Sequence, residues 1–96
     1  MLELRPSCEH CGKNLPQDST EAMICSFECT YCKECAQEVF QNVCPSCGGG
    51  FSPRPIRPKV HLEENPPSTL RVFKPKDLNK HGEMLERYRH LKPEER

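Results

Sequence analysis

CEHCGKNLPQDSTEAMICSFECTYCKECAQEVFQNVCPSC, residues 8–47, holds all eight cysteines of this 96-residue chain. They stand at Cys8, Cys11, Cys25, Cys29, Cys32, Cys35, Cys44 and Cys47, as close pairs in succession. Zinc takes four tetrahedral ligands, and thiolate sulfur is its usual partner in structural sites. A Cys-x-x-Cys turn offers two sulfurs to one ion and turns backbone amides toward them, which stabilises their charge. Glycine after the second sulfur supplies the left-handed backbone that closes such a knuckle. Gly12 follows Cys11 and Gly48 follows Cys47, so both outer pairs carry this mark. Eight thiolates make two closed sites, and a closed site keeps no position for water or substrate. The expectation is therefore two Zn2+ ions with a structural role.

The rest of the composition says why metal is needed. Only 34% of residues are hydrophobic, there is no Trp, and Pro reaches 10. A core this small rarely outweighs the entropy of folding, so small domains rely on disulfides or metal. The opening MLELRPSC has no apolar h-region, and no stretch approaches a membrane span. The expectation is a cytoplasmic chain with no membrane partner, where thiols stay reduced and clustered Cys signal metal. Thiol–disulfide exchange would use one Cys-x-x-Cys pair in a thioredoxin-like frame rather than a series of pairs.

Charge and proline divide the chain further. Residues 1–50 carry three Lys/Arg against seven Asp/Glu, and residues 51–96 carry eleven against seven. Each four-thiolate zinc site adds about two negative charges, which deepens the contrast. FSPRPIRPKVHLEENPP, residues 51–67, has five prolines and no Cys, the composition of a stiff extended segment. STLRVFKP follows as a short extended piece. Leu78, Leu85, Tyr88 and Leu91, flanked by Met84, have helical spacing, with Asp77 as a cap, Pro93 as a stop and Gly82 as a weak point. Three parts result: a two-zinc Cys-rich module at 1–51, a basic Pro-rich segment at 52–76 and a C-terminal helix at 77–92.

Spacing leaves the partition of sulfurs open. Sequential use groups Cys8, Cys11, Cys25 and Cys29, then Cys32, Cys35, Cys44 and Cys47. Interleaved use groups Cys8, Cys11, Cys32 and Cys35, then Cys25, Cys29, Cys44 and Cys47. Interleaving closes longer loops and so constrains the unfolded chain more. A third partition runs through the crowded pair Cys29 and Cys32.

Four ligand pairs, the second closely followed by the third, then the helical stretch AQEVFQNV and a final Cys-Pro-x-Cys, resemble the RING finger. The resemblance covers residues 8–47 and implies a RING-like or treble-clef zinc module with a short hairpin and a short helix. It implies Cys8, Cys11, Cys32 and Cys35 at one zinc and Cys25, Cys29, Cys44 and Cys47 at the other. Cys29 stands where the commonest pattern has His. LELRPSCEHCGKNLP, ICSFECTYCKECA and CPSCGG, with NPPST and RVFKP in the tail, resemble a family of short uncharacterised bacterial Cys-rich proteins. That resemblance covers residues 2 to about 75, and implies zinc and a bacterial cytoplasmic setting.

Three functional readings follow. The first is a non-enzymatic structural or protein-interaction module, since no Ser/His/Asp set, phosphate loop or paired carboxylate is present. The second is nucleic-acid contact through Arg54, Arg57, Lys59, Arg71, Lys74 and Lys76, because phosphate binding needs a basic face and residues 1–50 are acidic. The third is the ubiquitin-ligase role that the RING resemblance implies. Pro45 matches that pattern, while Glu9-His10 inside the first knuckle and Gly48 after the last ligand depart from it. Opposite charge in one chain also predicts that residues 51–75 fold back, with Ile56, Val60, Leu62, Leu70, Val72 and Phe73 covering the core. His10 is expected to face solvent, and His61, His81 and His90 lack metal-ligand spacing.

Overall fold

The structure is a computed structural model describing residues 1–96. Its centre is a hairpin. Strand β1 (Ala22–Ile24) pairs antiparallel with β2 (Thr30–Cys32), in the register Ala22↔Cys32, Met23↔Tyr31 and Ile24↔Thr30. Branched and aromatic side chains at Ile24, Thr30 and Tyr31 suit a half-buried pleated surface. The turn between the strands closes through Glu28 N–H to Cys25 O at 3.0 Å, and Glu28 takes a left-handed φ of 66°. A third strand, β3 (Ser52–Pro53), joins the free side of β1, so the sheet order is β2-β1-β3. Proline has no N–H to give a further strand, and its edge position is the one a sheet tolerates.

From β2 the chain enters a single wide helical turn at Cys35–Val39, closed by Phe40 N–H to Cys35 O at 2.8 Å, an i→i+5 bond. The short helix expected over AQEVFQNV is thus reduced to this turn. Gln41 and Asn42 are both left-handed, with φ of 49° and 61°, which stops any helix. That stop drives Phe40 and Val43 inward, where both are fully buried.

Tyr31, Phe40, Leu4, Leu15 and Val43 fill the core together with Cys8 and Cys44. Phe40 is its hub, with ring centroids 4.9 Å from Tyr31 and 5.0 Å from both His10 and His81 in edge-on contacts. Each such aromatic contact is worth about 0.5–1.5 kcal/mol beyond area burial.

Residues after the sheet wrap the module. Helix α1 (Leu78–Tyr88) starts at Asp77, whose carboxylate accepts from Asn79 N–H at 2.9 Å and Lys80 N–H at 3.4 Å. Such a cap is worth about 1 kcal/mol. Its inward face is His81, Met84, Leu85 and Tyr88, while Leu78 and Leu91 of the expected stripe lie exposed.

The fold-back takes a different form from the apolar cover expected of it. Ile56, Val60, Leu70 and Phe73 are exposed, and Leu62 and Val72 are only half-buried. Docking instead uses hydrogen bonds: Ser68 N–H to Glu3 O and Lys74 N–H to Glu9 O, both at 2.8 Å. The Arg54 guanidinium is buried and reaches Arg5 O at 2.7 Å and Pro16 O at 3.0 Å. Arg57 donates to Leu2 O and Asn65 O, both at 2.7 Å. The physical reason is supply and demand. The aromatic core is already closed, whereas loop carbonyls around the knuckles need donors.

Candidate metal centre

The two glycine-closed knuckles are built alike. In the first, Cys8 N–H donates to Lys13 O at 2.9 Å and Gly12 N–H to Cys8 O at 3.0 Å. In the last, Cys44 N–H donates to Gly49 O and Gly48 N–H to Cys44 O, both at 2.8 Å. Gly12 and Gly48 have φ of 80° and 78°, a region that costs any L side chain about 1–2 kcal/mol. Each knuckle returns its chain on itself, and the Ser7–Asn14 bridge locks the first.

The hairpin sorts the middle cysteines. Cys25 and Cys29 lie at its tip, while Cys32 lies opposite Ala22 at its open end and runs on to Cys35. The Sγ atoms of Cys8, Cys11, Cys32 and Cys35 therefore lie within 4.8 Å of one another, as do those of Cys25, Cys44 and Cys47. Cys29 falls outside that mutual set, and its thiol interacts with those of Cys44 and Cys25. The thiols thus group across the sequence rather than along it.

Scale and surroundings suit a tetrahedral ion. Zn–S bonds of about 2.3 Å place two sulfurs about 3.8 Å apart. Cys11 Sγ and Cys32 Sγ are 3.7 Å apart. Backbone amides point at four sulfurs: Cys11 N–H at Cys8, Phe27 N–H at Cys25, Cys35 N–H at Cys32 and Gly49 N–H at Cys47, at 3.3–3.5 Å. Such donors favour the thiolate form that a metal requires.

Crowded sulfurs titrate apart. Burial pushes Cys25 up to about 11 and also raises Cys32 and Cys35. Interaction with Cys44 pulls Cys29 down to about 6, and the same contact, followed by burial, raises Cys44. At Cys8 burial acts upward, but the amide donors around its sulfur outweigh it and lower the pKa. One negative charge per cluster thus discourages the next, and a cation at each cluster would reverse that penalty.

The two histidines have roles that sequence reasoning missed. His10 does not face solvent: its Nδ1 accepts from Lys76 N–H at 2.9 Å, and its ring meets Phe40. Burial, followed by the charge of Lys76, lowers its pKa. His81 is 2% exposed, and its Nε2–H donates to Val43 O at 2.7 Å, next to Cys44. The signal for His81 was its place three, four and seven residues before Met84, Leu85 and Tyr88. Among the tail bases, Arg54 and Arg57 are spent on carbonyls and Arg71 donates to Asn14 Oδ1. Lys59 and Lys74 remain exposed.

Together these features define a small Cys-rich domain with an antiparallel sheet and two thiol clusters able to hold metal ions. The chain belongs to the family described as protein of unknown function (DUF1272), whose model matches residues 1–57. An uncharacterised protein of Rhizobium meliloti (strain 1021) is 53% identical over 75 residues, covering 78% of this chain and 89% of the relative. No solved structure matches the chain. No helix is long and apolar enough to cross a membrane.

Proposed function

We propose that this chain is a non-catalytic, two-zinc structural module that presents a protein-interaction surface in the cytoplasm. The observation that carries the reading is the assembly of the thiols into two clusters, one of four sulfurs and one of three with Cys29 beside it. In this reading Cys8, Cys11, Cys32 and Cys35 hold one ion, and Cys25, Cys29, Cys44 and Cys47 hold the other. The crossed grouping is the one a RING-like module uses. Four protein sulfurs per ion leave no position for substrate, which supports a structural role over catalysis. Free thiolates of this density call for a reducing compartment. Asp18, Glu28, Glu34 and Glu38 make no ion pair, which favours a basic protein partner.

All-sulfur sites also accept iron, so the test must weigh the metal. Native mass spectrometry of protein purified under reducing conditions should show two zinc ions per chain. A chelator should remove them together with the far-ultraviolet dichroism, because metal binding energy is folding energy in such modules. A metal-free chain that keeps its fold, or a mass matching iron and sulfide, would overturn the proposal.

A further inference from the structure

Glu9 lies inside the first knuckle, between Cys8 and Cys11, and is buried. It forms a reciprocal pair with Thr30 of β2. Glu9 N–H donates to Thr30 O at 3.0 Å, and the Glu9 carboxylate accepts from Thr30 N–H at 2.5 Å. Arg5 donates to the same carboxylate oxygen at 2.7 Å, and Lys74 N–H donates to Glu9 O at 2.8 Å. Burying a carboxylate is costly, and a buried ion pair adds little net stability. What this pair fixes is geometry.

The N–H that Glu9 holds belongs to the peptide unit shared by Cys29 and Thr30. The carbonyl of that unit, Cys29 O, accepts from Cys25 N–H at 3.3 Å. A peptide unit is planar and rigid, so one plane is gripped by the first knuckle on one side and by the hairpin tip on the other. Cys29 is the one cysteine outside the two sets of mutually close sulfurs. The tilt of this plane sets how its thiol meets Cys25, Cys44 and Cys47. We propose that Glu9 is the positioning residue that couples the two clusters: filling the first fixes the carboxylate, which holds Thr30 N–H and so places Cys29 for the second. The inference rests on the metal reading above and adds an order to the loading of its two sites.

The test adds zinc to the reduced, metal-free chain and counts species by native mass spectrometry. Two independent, equal sites leave about half of the chains with a single metal at half saturation. In the unmodified protein the one-zinc share should fall well below that, because the second ion follows the first. Glu9→Met keeps the bulk and removes the acceptor. Its one-zinc species should dominate, and its second zinc should be lost to a chelator about tenfold more readily. Glu9→Gln keeps an acceptor for Thr30 N–H and should restore most of the coupling. A purely structural role would weaken both zincs alike, and an unchanged one-zinc share in Glu9→Met overturns the inference. So does an unmodified protein whose one-zinc share reaches half. Should Glu9→Met take up no zinc, Arg5→Met carries the comparison, since it removes the anchor of the carboxylate from outside the knuckle. It should raise the one-zinc share, and an unchanged share overturns the proposal. An unmodified chain that takes up no zinc defeats the metal reading itself, and this inference with it.

Discussion

Arg54→Met should destabilise the protein by about 2–4 kcal/mol, although its guanidinium bonds go to carbonyls and not to thiols. Arg54 is 4% exposed and donates to Arg5 O at 2.7 Å, Pro16 O at 3.0 Å and Leu15 O at 3.3 Å. Its own N–H donates to Ala22 O at 2.9 Å, so one residue ties β1 to both chains entering and leaving the first knuckle. No carboxylate holds it: burial lowers its pKa without any compensating charge. Hydrogen bonds from a charged donor are worth about 1.5–3 kcal/mol each, so the two shorter bonds give a gross loss of about 3–6 kcal/mol. Sparing the burial of a guanidinium returns part of this, which leaves about 2–4 kcal/mol. Methionine fills similar volume, so cavity effects stay small. The melting temperature, followed by far-ultraviolet dichroism, should fall by roughly 10–25 °C for a domain of this size. Metal and protein concentrations must be held equal, because any bound metal contributes to apparent stability. Arg54→Lys keeps the charge but loses the fork, and should fall between the two. A methionine variant melting within about 3 °C of the unmodified protein would refute the reasoning, since each degree here represents only a fraction of a kcal/mol. The result also bears on nucleic acid. Reversing charge at Arg54 would unfold the module, so phosphate contact has to be tested at Lys59 and Lys74.

Gly48→Ala should cost more than Gly12→Ala in a urea titration. Both sites are left-handed, which sets a common cost of about 1–2 kcal/mol, but a Cβ at Gly48 would also lie 2.9 Å from Tyr88 Cε2. Equal costs would mean that α1 does not rest on the last knuckle. His81→Ala leaves Val43 O unpaired beside Cys44 and should cost about 2–3 kcal/mol. Amide exchange should then speed up across Leu78–Tyr88 while β1 and β2 stay protected; uniform loss of protection would contradict a separately docked helix. Metal affinity should fall steeply with acid. Thiols raised in the fold, such as Cys25 at about 11, are protonated at neutral pH and must each lose a proton to bind. Metal-bound thiols have pKa values depressed below the free value, so the stability they confer is present at high pH and lost as pH falls. Each thiol that is protonated in the metal-free chain weakens binding by about tenfold per pH unit, so the two raised thiols of each cluster, Cys32 with Cys35 and Cys25 with Cys44, set a slope of at least about 100-fold per unit, readable by competition with a chromophoric chelator between about pH 8 and pH 6. An affinity that does not change with pH would exclude thiolate ligation.

Much of the site can be read along the chain because knuckles are local. Cys8 to Gly12 and Cys44 to Gly48 each close within one turn, and the glycine that closes them announces itself by position. Asp77 and the prolines around the tail are equally local signals. The stripe of α1 was displaced because Leu78 and Leu91 outweigh a histidine on any hydrophobic count, yet His81 alone could both fill the space against Phe40 and satisfy Val43 O. The tail misled in the same way: its apolar residues invited a hydrophobic cover, and its arginines, which suggested phosphate, carry the docking.

By itself, then, the sequence determined that this chain gathers sulfur in paired turns, that two of those turns close on glycine, and that a small core must lean on something stronger than burial. Those features depend on residues a few positions apart, where backbone geometry leaves few choices. Tertiary structure alone decided which pairs meet. The β1–β2 hairpin carries Cys25 and Cys29 to its tip and Cys32 to its open end, and a hairpin's two ends face different neighbours. It also decided that Tyr31, an ordinary strand residue on paper, is buried edge-on between Phe40 and Phe51, a relation between residues that no local pattern encodes.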